Sequence, residues 1–388
     1  MMERRGFLQL TGASLAFGML PRVVSAATSS GARTSIDGRL LVLVELKGGN
    51  DGLNTLIPYR DPAYYTLRPQ IGIKPEGMIQ LDDKVALHRA LQPLMPSWEE
   101  GRLAVVQGVG YPQPNLSHFR SIEIWDTASR ADQYLPSGWL TRLFRDNPLP
   151  ARYAADAIVL GSADLGPVAG GARAIALDNP GQFNKQAKLV QAMAGQGDNA
   201  LGHVLKVESD IATAARSLGI GGKLSTEFPS HNFGRLCRVA CETLASASGV
   251  AVVRLTLGSF DTHQNQPGTH ASLLAQLAEG LAALKAGMIE LGRWDDTLVA
   301  TYSEFGRRPK ENASGGTDHG TVAPHFVLGG RVHGGLLGQT PDLSTLDASG
   351  NLPYRVDFRQ VYATLLERWW QVPAAPVLGA GFSPLEFV

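Results

Sequence analysis

Short, continuously apolar segments alternate along the chain with segments whose apolar residues recur every three or four positions. The apolar runs are rich in Val, Ile and Leu and predict seven strands: Leu40–Leu46, Ala104–Gln107, Ala157–Leu160, Arg173–Leu177, Val252–Leu257, Leu298–Tyr302 and Phe326–Leu328. Several lack polar alternation, which is typical of strands covered on both faces. The pattern predicts an α/β fold with a largely parallel central sheet flanked by helices.

Helical spacing is clearest over His270–Leu291, where apolar residues form one stripe. Near the C-terminus, Asp357 can cap a helix that buries Phe358, Val361, Leu365 and Trp369. Between Asn179 and Ser248 the spacing predicts helical segments at Gln182–Ala194, Ala200–Leu218 and Phe233–Ser246. We interpret residues 179–248 as a helical insertion in a single domain that spans residues 27–388.

The first 26 residues have the features of a twin-arginine signal peptide. Arg4 and Arg5 precede a mildly apolar stretch from Gly6 to Leu20, and Val24-Ser25-Ala26 offers a small-residue cleavage site. The stretch is short and contains polar residues, which favours a cleaved signal over a membrane anchor. We therefore expect export through the twin-arginine translocation machinery to the periplasm or the outside of the cell.

Composition is that of an ordinary globular protein, since 44% of the 388 residues are hydrophobic and 18% are charged. Basic and acidic residues balance at 35 each, which argues against nucleic acid or an anionic membrane as a partner. No second apolar run predicts a stable membrane span. Cys237 and Cys241 lie one helical turn apart, a spacing that suits two buried thiols and not a disulfide.

Carboxylates follow two of the predicted strands. Asp51 lies in a glycine-rich turn after Leu40–Leu46, and Glu304 follows Leu298–Tyr302. Because ligands bind beyond the carboxyl ends of strands in open α/β sheets, both are predicted metal ligands. The alternatives are a turn in which Asp51 bonds its own backbone, and an exposed strand end at Glu304.

Two Asp and His pairs complete the candidate metal ligands. Asp261 and His263 share a face if the strand before them extends this far, and His270 is an alternative to His263. Asp318 and His319 are adjacent and flanked by glycines, which predicts ligands on a flexible loop. The ion would be zinc, calcium, magnesium or manganese.

The candidate catalytic residues lie in two further motifs. Ser117 precedes a predicted helix, where a hydroxyl meets the positive end of the helix dipole and can act as a nucleophile. His118 and Arg120 follow it directly, and Arg307 lies just after Glu304. An arginine can clamp phosphate or sulfate. The alternatives are a helix-capping role for Ser117 and a surface salt bridge for Arg307.

Five motifs together resemble the exported bacterial family known as domain of unknown function 1501, which is grouped with the alkaline phosphatase-like superfamily. They are Lys-Gly-Gly-Asn-Asp-Gly-Leu-Asn (47–54), Ser-His-Phe-Arg-Ser (117–121), Phe-Asp-Thr-His-Gln-Asn-Gln (260–266), Ser-Glu-Phe-Gly-Arg-Arg (303–308) and Gly-Thr-Asp-His-Gly-Thr (316–321). The resemblance implies an alkaline phosphatase-like fold, as in sulfatases and phosphomutases. It covers nearly all of the chain after the signal.

The resemblance also implies roles for single residues. Asp51 resembles the strand-end metal ligand, Ser117 the nucleophile, Asp261 with His263 a second ligand pair, and His319 the final histidine. The chain departs from the superfamily at Phe305, which stands where a ligating histidine is expected. One well-held metal ion is then favoured over a two-zinc pair, unless Asp318 fills the gap.

We therefore expect an exported metal-dependent hydrolase that cleaves small phosphate or sulfate esters, including sulfated or phosphorylated glycans, with a serine nucleophile. The alternative is a non-catalytic periplasmic binding or assembly protein on a degenerate alkaline phosphatase-like fold. The departure at Phe305 favours the alternative, and the metal content of the folded protein distinguishes the two.

Overall fold

The computed structural model describes residues 36–177, 223–245 and 249–388. The predicted signal peptide and the predicted helices Gln182–Ala194 and Ala200–Leu218 lie outside the described residues. The third helix of the predicted insertion is present and spans Asn232–Leu244.

The described strands are β1 Leu40–Leu46, β2 Leu56–Ile57, β3 Met78–Gln80, β4 Ala86–His88, β5 Leu103–Gly110, β6 Ala157–Leu160, β7 Ala174–Leu177, β8 Val252–Leu257, β9 Thr297–Tyr302, β10 Arg307–Glu311, β11 Thr317–His319, β12 Ala323–Gly329, β13 Gly335–Leu337 and β14 Val356–Asp357. All seven predicted strands are confirmed, within a few residues at their ends.

The described α-helices are α1 Gly52–Thr55, α2 Pro62–Leu67, α3 Met95–Glu99, α4 His118–Thr127, α5 Trp139–Asp146, α6 Asn232–Leu244, α7 Gln266–Glu290, α8 Phe358–Thr364 and α9 Ala375–Leu378. Asp357 caps α8 through a capping box with Gln360, as predicted, and a π-helical turn, Leu365–Trp369, continues α8.

The central sheet has the order β13-β5-β12-β9-β1-β8-β6-β7, with β14 also paired to β5. Only β12 runs antiparallel to its neighbours among the described strands of this sheet. The largely parallel α/β sheet is therefore confirmed. A separate three-stranded sheet, β2-β4-β3, and the hairpin β10-β11 lie outside it.

Alternate residues of the central strands pack on opposite faces of the sheet. On one face, Leu41 and Leu43 of β1 belong to a buried cluster with Trp125 of α4 and Trp139 of α5. On the other, Val42 and Val44 belong to a cluster with residues of α6 and α7. Helices on both faces explain why these strands are continuously apolar.

Helix α7 is long and apolar enough to cross a membrane by length and composition, the only such helix among the described residues, with a mean hydropathy of 1.2. Its most apolar window is 56% buried inside the fold, and core helices pass the same test. Gly280 and Gly287 of α7 lie against Cys237 and Cys241 of α6, and both cysteines are buried free thiols, as predicted.

Two local predictions are wrong. Strand β8 ends at Leu257, so Asp261 and His263 lie in a loop and not on an extended strand. Asp318 and His319 lie in strand β11, which pairs with β10 as a short hairpin, and not in a flexible loop. The hairpin is polar and partly exposed, so it lacks the apolar run by which the other strands were found.

Candidate metal centre

Three neighbouring parallel strands, β9, β1 and β8, end side by side, and the loops after them meet at this edge of the sheet. Glu45 of β1 is level with Tyr302 of β9 and Thr256 of β8. The loop after β9 is joined to the loop after β1 because Oε1 of Glu304 accepts a hydrogen bond from the Gly48 amide at 2.9 Å. A Cβ at Gly48 would collide with the backbone before Asp261, so glycine allows this close approach.

Three side chains from three elements form a compact group, which we call the candidate triad: His118 at the start of α4, Asp261 in the loop after β8, and His319 at the end of β11. Their ligand atoms lie within 4.8 Å of one another. Nε2 of His319 is 3.2 Å from Oδ1 of Asp261, and Nε2 of His118 is 3.5 Å from Oδ2 of Asp261. Two imidazoles and a carboxylate at this spacing could hold a divalent metal ion.

The other ring nitrogen of each triad histidine faces an acceptor. Nδ1 of His319 lies 2.7 Å from the carbonyl oxygen of Leu116, and Nδ1 of His118 lies 2.8 Å from Oε1 of Glu304. A carbonyl oxygen can only accept, so Nδ1 of His319 carries a proton and, in the neutral ring, Nε2 keeps its lone pair. Metal-ligating histidines are oriented in this way by carboxylates or backbone carbonyls.

Electrostatics at the centre of the triad favour a cation. Burial lowers the pKa of His319, which favours the neutral ring. Burial raises the pKa of Asp261, but the hydrogen bond and charge of Arg307 outweigh it, so this pKa lies below its usual value. The lone pair of neutral His319 therefore faces an ionised carboxylate. A proton or a metal ion between the two atoms would make that contact favourable.

His263 brings a third imidazole to the edge of the triad. Its Nε2 is 3.0 Å from Oδ1 of Asp261 and 3.0 Å from Nε2 of His319. Asp318 lies on the far side of the ring, with Oδ1 3.4 Å from Nδ1 of His263. The structure therefore places His263 where it can ligate and Asp318 behind it, where it orients the ring.

Glu304 and Phe305 both contact the histidines of the candidate triad. Glu304 is buried and bonds both His118 and the Gly48 amide, and its hydrogen bond raises the pKa of His118. The Phe305 ring lies 4.9 Å from the His118 ring and 4.4 Å from the His319 ring, between centroids. Phe305 cannot ligate, and its contacts limit the rotation of both imidazoles.

Asp51 lies outside the triad, in a buried ion pair with Arg68. Nη1 of Arg68 is 2.6 Å from Oδ2 and Nη2 is 2.9 Å from Oδ1, and both side chains are fully buried. Oδ1 also caps α1 through the Leu53 amide, and Gln266 donates to Oδ2. Protein donors thus occupy both oxygens of Asp51. His270 is buried nearby with Nε2 2.9 Å from Oδ1 of Asn50, and burial lowers its pKa to about 4.

Both predicted anion clamps are used inside the protein. Arg307 is fully buried and donates to the carbonyls of Gly48, Gly49, Phe260 and Thr317 and to Oδ1 of Asp261. Arg120 donates to the carbonyls of Arg130, Ala131 and Gln133, pairs with Glu123 and lies over the Tyr134 ring. Arg307 fixes the loops that carry the triad, and Arg120 anchors the loop after α4.

Ser117 occupies the N-cap position of α4, yet its side chain makes no capping hydrogen bond with the helix as described. The residue is exposed. Its neighbours on both sides are tied to the triad, because the Leu116 carbonyl accepts from His319 and His118 is itself a triad member. The backbone on both sides of Ser117 is therefore tied to the triad.

A cavity of about 470 Å³ opens beside the triad. Its walls include His118 and Asp261, with Glu304, Lys47 and Glu45. Sequence analysis missed Glu45, although a glutamate inside the apolar run of β1 was a signal. Its Oε2 accepts from Arg254 at 2.8 Å and Thr256 at 3.0 Å. Arg254 is likewise a charged residue inside the apolar run of β8.

Comparison with solved structures finds distant similarities. The structure titled Ps i-CgsB in complex with k-i-k-neocarrahexaose is 12% identical, with a TM-score of 0.40 and coverage of 88% of this chain and 72% of that one. For the phosphonate monoester hydrolase SpPMH from Silicibacter pomeroyi the values are 10%, 0.40, 90% and 78%. For the alkaline phosphatase from the Antarctic bacterium TAB5 they are 9%, 0.31, 76% and 92%.

No curated protein matches the chain. Residues 39–379 match the family described as Protein of unknown function (DUF1501). That match spans every described helix and strand and all three members of the candidate triad. The chain therefore belongs to the DUF1501 family.

Proposed function

We propose that the protein is an exported, metal-dependent hydrolase of phosphate or sulfate esters with Ser117 as its nucleophile. The observation that carries the proposal is the candidate triad, in which Nε2 of two histidines and a carboxylate of Asp261 face one another while acceptors hold Nδ1 of each ring. Export rests on the sequence of residues 1–26 alone.

The donor set suits a single ion that accepts imidazole nitrogen. His118, His319 and Asp261 would be ligands, and His263 would be a fourth within reach. Zinc is bound by such a set, whereas calcium and magnesium prefer sites made largely of oxygen. A bound ion would supply Lewis-acid stabilisation of negative charge on the ester. In this proposal Asp51, Glu304 and Asp318 support the site without ligating.

The chain's own residues would bind and attack the ester. Lys47 lines the cavity and provides a positive charge for the ester. Arg120 and Arg307 do not, because they bind groups inside the protein. The free amides at the start of α4 face anions favourably. The Ser117 hydroxyl, free of a capping bond to the described helix, would bond to phosphorus or sulfur as the bond to the alcohol breaks, and its proton would pass to the departing alcohol. Water would then cleave the serine ester and release phosphate or sulfate.

The test uses protein purified from its native host, with metal content measured before kinetics. We expect Ser117→Ala to lower turnover of 4-nitrophenyl phosphate or 4-nitrophenyl sulfate by about a thousandfold or more, with the metal content unchanged. His319→Ala, the matched variant, should lose both metal and turnover. Full activity in Ser117→Ala would remove the serine from the mechanism.

The second candidate is a non-catalytic binding protein. It is favoured by the internal use of Arg120, Arg307 and Asp51, which leaves little besides Lys47 to hold an anion in the cavity. A well-folded protein that contains no metal and turns over no phosphate or sulfate ester would support this candidate.

A further inference from the structure

A second cavity, of about 370 Å³, lies next to the cavity beside the triad. The two share Phe119, Ile122 and Asp164 as wall residues, so they meet along the first two turns of α4. Each volume is within the range of small-molecule sites. An ester bound at the triad would therefore have space for its alcohol portion beyond Phe119.

The walls of the second cavity contain both apolar and polar side chains. Ile122, Leu135 and Pro136 provide apolar surface. The Phe119 ring is 88% exposed, which is unusual for so large an apolar side chain. An exposed ring beside apolar walls is suited to contact with the apolar face of a ring on a ligand.

Asp126 supplies the polar group of this cavity. The residue is 6% exposed, and its Oδ1 has no hydrogen-bond partner among the described residues. Buried polar groups in proteins are almost always paired, so the carboxyl of Asp126, a residue that lines this cavity, is a candidate ligand contact. Burial raises the pKa of this carboxyl well above its usual range, which favours the uncharged form that can both donate and accept.

The arginines near the second cavity are already bound to other groups of the protein. Arg120 pairs with Glu123, and Arg254 pairs with Glu45 and donates to the Asp164 carbonyl. Arg142 donates to the carbonyls of Ser137, Thr127 and Val377. Asp164, an exposed carboxylate, lies where the two cavities meet. A second anionic group on the ligand would find no free cation here among the described residues.

We propose that the second cavity binds the part of the alcohol that lies beyond the ring carrying the ester group, and that it selects an uncharged, hydroxyl-bearing ring such as a second sugar residue. Asp126 bonds a ring hydroxyl, and Ile122 with Phe119 contacts the ring face. The inference rests on the proposed function, because the first cavity must hold the ester group itself.

The experiment compares two monoesters and a bisphosphate: 4-nitrophenyl phosphate, maltose 1-phosphate and glucose 1,6-bisphosphate. Ser137 lines the second cavity and is not a wall residue of the first, so Ser137→Trp should fill only the second. We expect it to lower kcat/KM for maltose 1-phosphate by about tenfold or more, mainly through KM, and to leave 4-nitrophenyl phosphate within about twofold.

Two further variants keep the result interpretable. Ser137→Ala, at the same position without added bulk, should match the wild type on every ester. Asp126→Asn keeps the shape of the side chain. It should lower kcat/KM for maltose 1-phosphate by a similar factor and leave kcat/KM for 4-nitrophenyl phosphate unchanged. Thermal unfolding checks that each variant is folded.

The outcomes separate the two proposals. Equal effects of Ser137→Trp on both monoesters, or none on either, overturn the role of the second cavity and leave the hydrolase intact. A clear preference for glucose 1,6-bisphosphate overturns the selection of an uncharged ring. If the metal-loaded wild type cleaves none of these esters or their sulfate counterparts, the proposed function fails and this inference falls with it.

Discussion

Arg307 is a single buried side chain whose hydrogen bonds join the segments that carry the candidate triad. Its guanidinium donates to carbonyls in the loops after β1 and β8, to Thr317 of β11, and to the Asp261 carboxylate. Planar, five-donor geometry lets one arginine join three segments, which lysine cannot do. At the residue scale the site therefore depends on Arg307 for the position of Asp261.

We predict that Arg307→Met lowers the free energy of unfolding by about 2–4 kcal/mol, because several buried carbonyls lose their donor. Arg308→Met is the matched control, since Arg308 is only partly buried and bears no role in the triad. It should change stability by less than about 0.5 kcal/mol. Denaturant unfolding measures both changes. An Arg307→Met variant that is as stable as the wild type but has a raised KM for a phosphate or sulfate ester would instead support the predicted role of Arg307 as an anion clamp.

At the scale of elements, Arg68 connects the loop after β1 to α1, α2 and β10. It follows α2 as its C-cap and bonds Asp51, Asn54, and the carbonyls of Arg308 and Pro309. Burial raises the pKa of Asp51, but the charge and hydrogen bonds of Arg68 outweigh it, so the pKa is lowered. The ion pair thus holds a junction of four elements.

We predict that Asp51→Asn and Arg68→Met each cost about 3–5 kcal/mol near pH 7, because each leaves a buried group unpaired, and that the double variant costs less than the sum. Since the folded pKa of Asp51 lies below the unfolded value, the pair's contribution is complete above about pH 4 and is lost as pH falls through the folded pKa. Denaturant unfolding of all four proteins at about pH 7 and pH 3.5 tests this. Strict additivity at neutral pH would contradict a coupled pair.

Strands were predictable from sequence and the partners of polar side chains were not. Leu40–Leu46 and Val252–Leu257 were found with the correct bounds because burial on both faces leaves an apolar run. Asp261, His263 and His319 do meet, although Asp261 and His263 lie in a loop and His319 lies in β11. Pairing of Asp51 with Arg68 depends on tertiary contacts that local pattern does not encode, and so does the use of Arg307 by backbone carbonyls.

At the scale of the whole molecule, two histidines are buried as neutral groups on opposite faces of the sheet. His270 of α7 bonds Asn50, and burial lowers its pKa to about 4. His325 of β12 contacts the Trp125 ring, and burial lowers its pKa to about 3. Neither ring nitrogen of His325 has a hydrogen-bond partner among the described residues. Both histidines bind protons more readily in the unfolded chain.

This difference predicts that the fold loses stability in mild acid. Because both folded pKa values lie below the unfolded value of 6.5, the unfolded state gains protons first as pH falls, and the free energy of unfolding decreases from about pH 6.5 downward. The loss is up to about 1.4 kcal/mol per pH unit for each histidine.

His325→Phe keeps an aromatic ring against Trp125 and removes one of the two titrating groups. Between about pH 7 and pH 5 it should lose about 2 kcal/mol less than the wild type. Denaturant unfolding at both pH values measures this difference, to which the other histidines contribute equally in the two proteins. Identical losses would mean that His325 is not a buried neutral histidine in solution.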